Sequence, residues 1–281
     1  MIAAIADDAA VSVVLSVATA VADLYAATAQ AIHVGEEDAA LAAAAHDAGV
    51  ALSTVAGPPV EGLARAAAAE DVAALVIGAR GAPAGKRPVG TTALQLITML
   101  QKPVVVVPPA VAPRRRIESI LVPLDGTMAS AAALHQTVVL AGEAAAEITV
   151  AHVQQRHAAP PFEDHLPHEV DAWSREFIAR YCPSATDVTL ELRVGEPHEH
   201  ILEIVRQSDC DLVALGWSQE LAGGRAAVVR RMLAESPVPV LLAPANDDPD
   251  LRSPAATLTA DTADRERASV RHARSLTGEG P

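Results

Sequence analysis

The chain has 281 residues, 51% of them apolar but only 2% aromatic, and a formal charge of −14. The acidic balance excludes a general nucleic-acid binder, which needs a basic face to release counterions, and the apolar content excludes a chain disordered throughout. Cys182 and Cys210 have no metal-ligand spacing and fit a reducing cytosol rather than a disulfide scaffold, so a cytoplasmic location is expected.

The first apolar run, Ala9 to Ala22, is 14 residues long and stops at Asp23. A membrane span needs about 20 apolar residues, and a secretory signal needs a basic leader where this chain has Asp7 and Asp8. The run is therefore predicted to be a buried helix, and no membrane partner is expected. Strands are predicted near 2–6, 29–34, 50–55, 73–77 and 103–107, with helices of Ala/Leu periodicity over 9–24, 36–48, 59–70 and 91–101. Gly57-Pro58-Pro59 reads as a strand-to-helix turn with proline opening the helix. The stretch Val111 to Arg116, proline-marked and charged, reads as a linker. Beyond it, strands are predicted near 118–124, 147–153, 187–193, 211–215 and 239–243. Runs without alternation, such as Val104–Val107, suit strands buried on both faces of a parallel sheet. After Pro244 the composition turns to Asn, Asp, Ser, Thr, Arg and Glu, and residues 246–281 are expected to form a disordered tail.

The second set of elements repeats the first. Ile2 to Asp7 aligns with Ile120 to Asp125, His33-Val34 with His152-Val153, and Gly57-Pro58 with Gly195 to Pro197. Leu75 to Gly78 aligns with Leu212 to Gly216, and Pro103 to Val107 with Pro239 to Ala243. Five landmarks in one order mark an internal duplication. The second copy gains residues near Gln154 to His168, a loop leading into a longer helix. Alternating strands and helices predict an α/β class: two doubly wound parallel five-stranded sheets in tandem, in domains 1–110 and 117–245.

In such sheets ligands bind beyond the carboxyl ends of the strands. The first strand ends at Asp7, whose carboxylate can accept from a nucleoside's hydroxyl or amino groups. The fourth runs into Gly78-Ala-Arg80-Gly81 and on to Gly90-Thr91-Thr92. Glycines let the backbone approach an anion, Gly90-Thr91 opens a helix whose N-terminus favours phosphate, and Arg80, Lys86 and Arg87 add positive charge. A Walker A reading fails: only three residues separate Gly81 from Gly85-Lys86, and Arg87 replaces the metal-binding hydroxyl. A dinucleotide fingerprint fails too, since neither Asp7-Asp8-Ala9 nor Asp125-Gly126-Thr127 supplies it.

These motifs resemble the universal stress protein family, over residues 1 to about 245. The nucleotide-binding members carry Asp at the end of strand one, an aliphatic residue in His-Val, and Gly-x-x-Gly followed after nine residues by Gly-Ser or Gly-Thr. Gly78-x-x-Gly81 and Gly90-Thr91 match this with eight residues between. The resemblance implies a Rossmann-like, adenine-nucleotide alpha-hydrolase-like fold in each half and a non-enzymatic, stress-responsive protein that binds ATP, with Mg²⁺ admitted beside it. It assigns Asp7 and Val34 to the adenosine and Gly78, Gly81, Gly90 and Thr91 to the phosphates, with Arg80 and Thr92 beside them. In copy two Asp125, Gly126, Val153 and Gly216 mark a degenerate site. There Gln219 replaces the second glycine, and Ala226-Ala227 stand at the final Gly-Ser position. An internal pseudo-dimer is implied, with Val104–Val107 and Val240–Leu242 at the contact; a homodimer and an unidentified protein partner remain open. The alternative is a protein-interaction module of the same fold that binds no nucleotide, a reading suggested by Asp8 and the shortened Gly81–Gly90 spacing.

Some of these residues also have a purely structural reading. Asp7, Asp125 and Thr127 can cap helices, Gly78 and Gly216 can be strand-end glycines, and His33 and His152 can be buried strand-end histidines. A metal site among His157, His165, His168, His198 and His200 is rejected, because on a helix His198 and His200 point about 200° apart.

Overall fold

The computed structural model describes residues 1–6, 10–80, 89–154, 167–183, 188–220 and 224–245, excluding the side chains of 167–171, 224 and 225. The proposed tail, 246–281, lies outside the described residues. The first half contains β1 (Ile2–Ile5), α1 (Val11–Leu24), β2 (Gln30–Val34), α2 (Ala39–Asp47), β3 (Ala51–Val55), α3 (Pro59–Ala67), β4 (Leu75–Gly78), α4 (Thr91–Met99) and β5 (Val104–Val107). The second half contains β6 (Ser119–Pro123), α5 (Met128–Glu143), β7 (Glu147–Gln154), α6 (Pro167–Tyr181), β8 (Val188–Val194), α7 (Pro197–Gln207), β9 (Leu212–Trp217), α8 (Gly224–Glu235) and β10 (Val240–Pro244).

Local chemistry sets the helix starts. Asp38 caps α2, its carboxylate accepting from the Ala40 and Leu41 amides at 2.7 and 3.2 Å. Pro59 and Pro197 open α3 and α7, where a missing N–H costs nothing.

The strands form one ten-stranded sheet in the order β3-β2-β1-β4-β5-β10-β9-β6-β7-β8. All five strands within each half are parallel, and the halves meet where β10 runs antiparallel to β5, with Leu241 opposite Val105. These are the segments that the family resemblance places at the contact. Alternate strand residues face opposite cores. Ala3, Ile5, Val105, Ile120 and Leu241 pack with α1, α2, α5 and α6, while Ile2, Ala4, Val106, Leu121 and Leu242 pack with α3, α4, α7 and α8. Each core is continuous across both halves, which is why the central strands have no polar face. No helix among the described residues is long and apolar enough to cross a membrane.

The segment between the halves is tied to both. The Arg114 guanidinium pairs with Asp211 at the entry to β9, and the Arg114 amide donates to Ser16 Oγ of α1 at 3.1 Å. Asp211 also accepts from the amides of Glu118 and Ser119, at 2.9 and 3.2 Å.

Candidate functional site

In each half the chain reverses its direction of travel across the sheet between the first and fourth strands, β1 and β4 or β6 and β9. Successive loops there leave in opposite directions and open a crevice beyond the strand ends. A cavity occupies that crevice in both halves.

The first-half cavity, about 310 Å³, is bounded by the ends of β1, β2 and β4 and the start of α4. Val34, Gly78, Arg80, Gly90, Thr91 and Thr92 all line it. Asp7 and Gly81, assigned to the same site from sequence, lie outside the described residues, as do Asp8, Lys86 and Arg87. A Cβ on Gly78 would sit 3.2 Å from the Arg80 carbonyl, so the chain leaves β4 in a turn that suits glycine. The Gly90 amide donates to the Ala79 carbonyl at 2.7 Å, drawing the start of α4 onto the end of β4. As N-cap, Gly90 has no side chain to cover the first-turn amides of α4, whose positive dipole end faces the cavity mouth. His33 is a structural bridge: its Nδ1 lies 3.2 Å from the Ile5 carbonyl. A carbonyl only accepts, so Nδ1 carries the proton and ties β2 to β1.

The second-half cavity is about 980 Å³ and is lined by Asp125, Gly126, Val153 and Gly216 among others. The helix cap read for Asp125 falls to Thr127 instead, while Gly216 stands near the end of β9 as its structural reading has it. Asp125 Oδ1 accepts from the Thr127 amide at 3.0 Å and from its hydroxyl at 2.7 Å, while Thr127 Oγ1 accepts from the Ser130 amide at 3.3 Å, starting α5. A Cβ on Gly216 would lie 3.1 Å from both Cα and O of Ser130, so glycine here permits α5 to press on β9. His152 repeats the His33 bridge, its Nδ1 2.8 Å from the Leu124 carbonyl.

Gln219, in place of the second glycine, has a left-handed backbone, φ 61°. Its side-chain amide donates to the Leu100 carbonyl at 2.6 Å, and its Oε1 accepts from Gln101 Nε2 at 3.0 Å. The position that the family resemblance assigns to the second glycine is thus turned to the C-terminal end of α4 in the other half.

Sequence reasoning passed over the wall of this larger cavity. Trp173, Phe177 and Tyr181 stand four residues apart on α6, with ring centroids 5.1 and 4.6 Å apart in succession. The Tyr181 hydroxyl donates to the Gly126 carbonyl at 2.7 Å, fastening α6 over the end of β6. The four-residue spacing was the available signal. Among the described residues no group of three His, Cys, Asp or Glu side chains is placed to hold a metal ion; His157, His165 and the side chain of His168 lie outside them, and His200 faces Glu203 at 3.4 Å.

The profile of the universal stress protein family matches residues 3–108 and again residues 116–244. The chain belongs to the universal stress protein family. Solved structures agree on the fold. A universal stress protein from Archaeoglobus fulgidus DSM 4304 superposes with a TM-score of 0.59 at 18% identity, over 88% of this chain and 97% of that one. A universal stress protein from Pseudomonas aeruginosa UCBPP-PA14 gives 0.58 at 17% identity, over 88% and 93%. A universal stress protein solved in complex with cAMP overlaps 46% of this chain and 98% of its own, at 22% identity and a TM-score of 0.35. No curated protein matches the chain. The two profile matches make it a tandem member, one family unit in each half.

Proposed function

We propose that this universal stress protein is a non-enzymatic, nucleotide-responsive protein of the cytoplasm whose first half binds ATP, with Mg²⁺, while its second half binds no nucleotide. The convergence of Val34, Gly78, Arg80, Gly90, Thr91 and Thr92 on one switch-point cavity carries the reading. Val34 offers an apolar contact to the adenosine, and Asp7, next along the chain from the cavity residue Ala6, a carboxylate for its polar groups. The amides at the start of α4, which Gly90 has no side chain to cap, and the Arg80 guanidinium favour the phosphates. A volume of about 310 Å³ lies at the lower end of small-molecule pockets, roughly 300–1,000 Å³, and suits a nucleoside whose phosphates extend toward α4. In the second half the side chain of Gln219 is directed at Leu100, leaving phosphate without the corresponding glycine turn. Nucleotide then acts through its differential affinity for two arrangements of the surface offered to a protein partner.

Isothermal titration with Mg-ATP tests this. One site per chain is expected, with Gly90→Glu weakening it about tenfold or more by placing a carboxylate at the α4 N-terminus, and with thermal stability retained. No binding at millimolar nucleotide would leave the alternative, an interaction module without a ligand in this half. Steady phosphate release by the wild type, lost in Gly90→Glu, would reject the non-enzymatic part.

A further inference from the structure

The chain has two Trp, two Tyr and two Phe. Trp173, Phe177 and Tyr181 all line the cavity of about 980 Å³ in the second half. His152 extends the stack from the sheet side, its ring 4.8 Å from Phe177 and 5.8 Å from Trp173. Core packing accounts for Phe177, which is 6% exposed, but not for Trp173, which remains 38% exposed. A tryptophan left half open on the wall of a large cavity offers a ring face to a ligand.

Charge narrows the class of ligand. Glu176 and Glu196 line the same cavity, as does Asp125, which holds Thr127. The described arginine of the lining, Arg180, lies over the Tyr181 ring at 5.7 Å. With carboxylates outnumbering it, and with Gln219 at the glycine position, the wall disfavours a phosphate and favours a cation over aromatic faces. We infer that this cavity is a second ligand site, built for a planar aromatic molecule bearing a cationic nitrogen. Stacking on Trp173 supplies the contact area, and Glu176 and Glu196 supply the charge complement. The site is independent of nucleotide binding in the first half.

Three three-ring probes separate shape from charge near neutral pH: proflavine, a cation; acridine, uncharged; and anthracene carboxylate, an anion. Each is titrated into the full chain by fluorescence anisotropy with millimolar Mg-ATP present. Proflavine is expected to bind one per chain, more tightly than acridine, with the anion weakest. Trp173→Ala should weaken proflavine and acridine alike, by about tenfold. The double variant Glu176→Gln, Glu196→Gln should weaken proflavine by about tenfold while leaving acridine unchanged. Circular dichroism monitors the fold of both variants, and the exposure of Trp173 makes its removal structurally mild. Failure of proflavine to bind, equal or tighter binding of the anion, indifference to Trp173→Ala, or displacement of proflavine by Mg-ATP would each overturn the assignment.

Discussion

Gln219 keeps the left-handed backbone that glycine adopts easily, φ 61°, and uses its side chain to hold the Leu100 carbonyl 119 residues away. Replacing it with Ala loses that bond and retains the backbone strain; replacing it with Gly loses the bond and relieves the strain. Gln219→Ala should therefore destabilise the chain by about 1–2 kcal/mol and Gln219→Gly by less, read from urea unfolding midpoints. Burial pushes the Cys182 thiol up from 9.0 to about 11. Between those values the unfolded chain binds fewer protons than the native one, so stability falls as pH rises from about 9 toward 11 and is unaffected by this group below 9. Cys182→Ala should make that decline shallower, and an unchanged slope in urea unfolding across this range would contradict the assignment. At this scale the sequence shows that a glycine is missing at 219, but not where the amide goes, because its partner lies in the other half. The role of Thr127 was more legible, since a hydroxyl directly before a helix can satisfy one of its first amides locally.

The central strands were readable because they have no polar face. Val104–Val107 and Val240–Leu242 are buried throughout, and a continuous apolar run suits a strand covered by helices on both sides. β10 also sits between β5 and β9, so it is the element through which the two halves share one sheet. Leu241, fully buried opposite Val105, should cost about 2–5 kcal/mol when cut to Ala, lowering the urea midpoint of the whole chain. A loss confined to second-half probes would show that the junction does not couple the halves. The aromatic ladder of α6 was less legible, since its Trp173, Phe177 and Tyr181 spacing equally describes a helix packed on a core. Only the exposure of Trp173 and the open space beside it distinguish the two.

Across the whole molecule, two cores run uninterrupted over the junction, one on each face of the sheet. Tyr25, at the C-cap of α1, reaches Thr137 of α5 at 3.2 Å, and Arg114 links to both Ser16 and Asp211. Such continuity should give one cooperative heat-absorption peak with equal calorimetric and van't Hoff enthalpies; two separable peaks would contradict it. The duplication behind this symmetry is visible in the sequence, but the inequality of the cavities is not. Their volumes depend on how α6 closes over the sheet and on contacts such as Tyr181 to Gly126 that no local pattern encodes. Adenine nucleotide is expected to enter the first half and not the larger second-half cavity. Photolabelling the intact chain with azido-ATP and Mg²⁺, followed by peptide mass spectrometry, addresses this directly. Label should fall on peptides containing Val34, Gly78 or Thr91 and be removed by excess ATP; label on peptides containing Val153, Phe177 or Gly216 instead, or none protected by ATP, would contradict it.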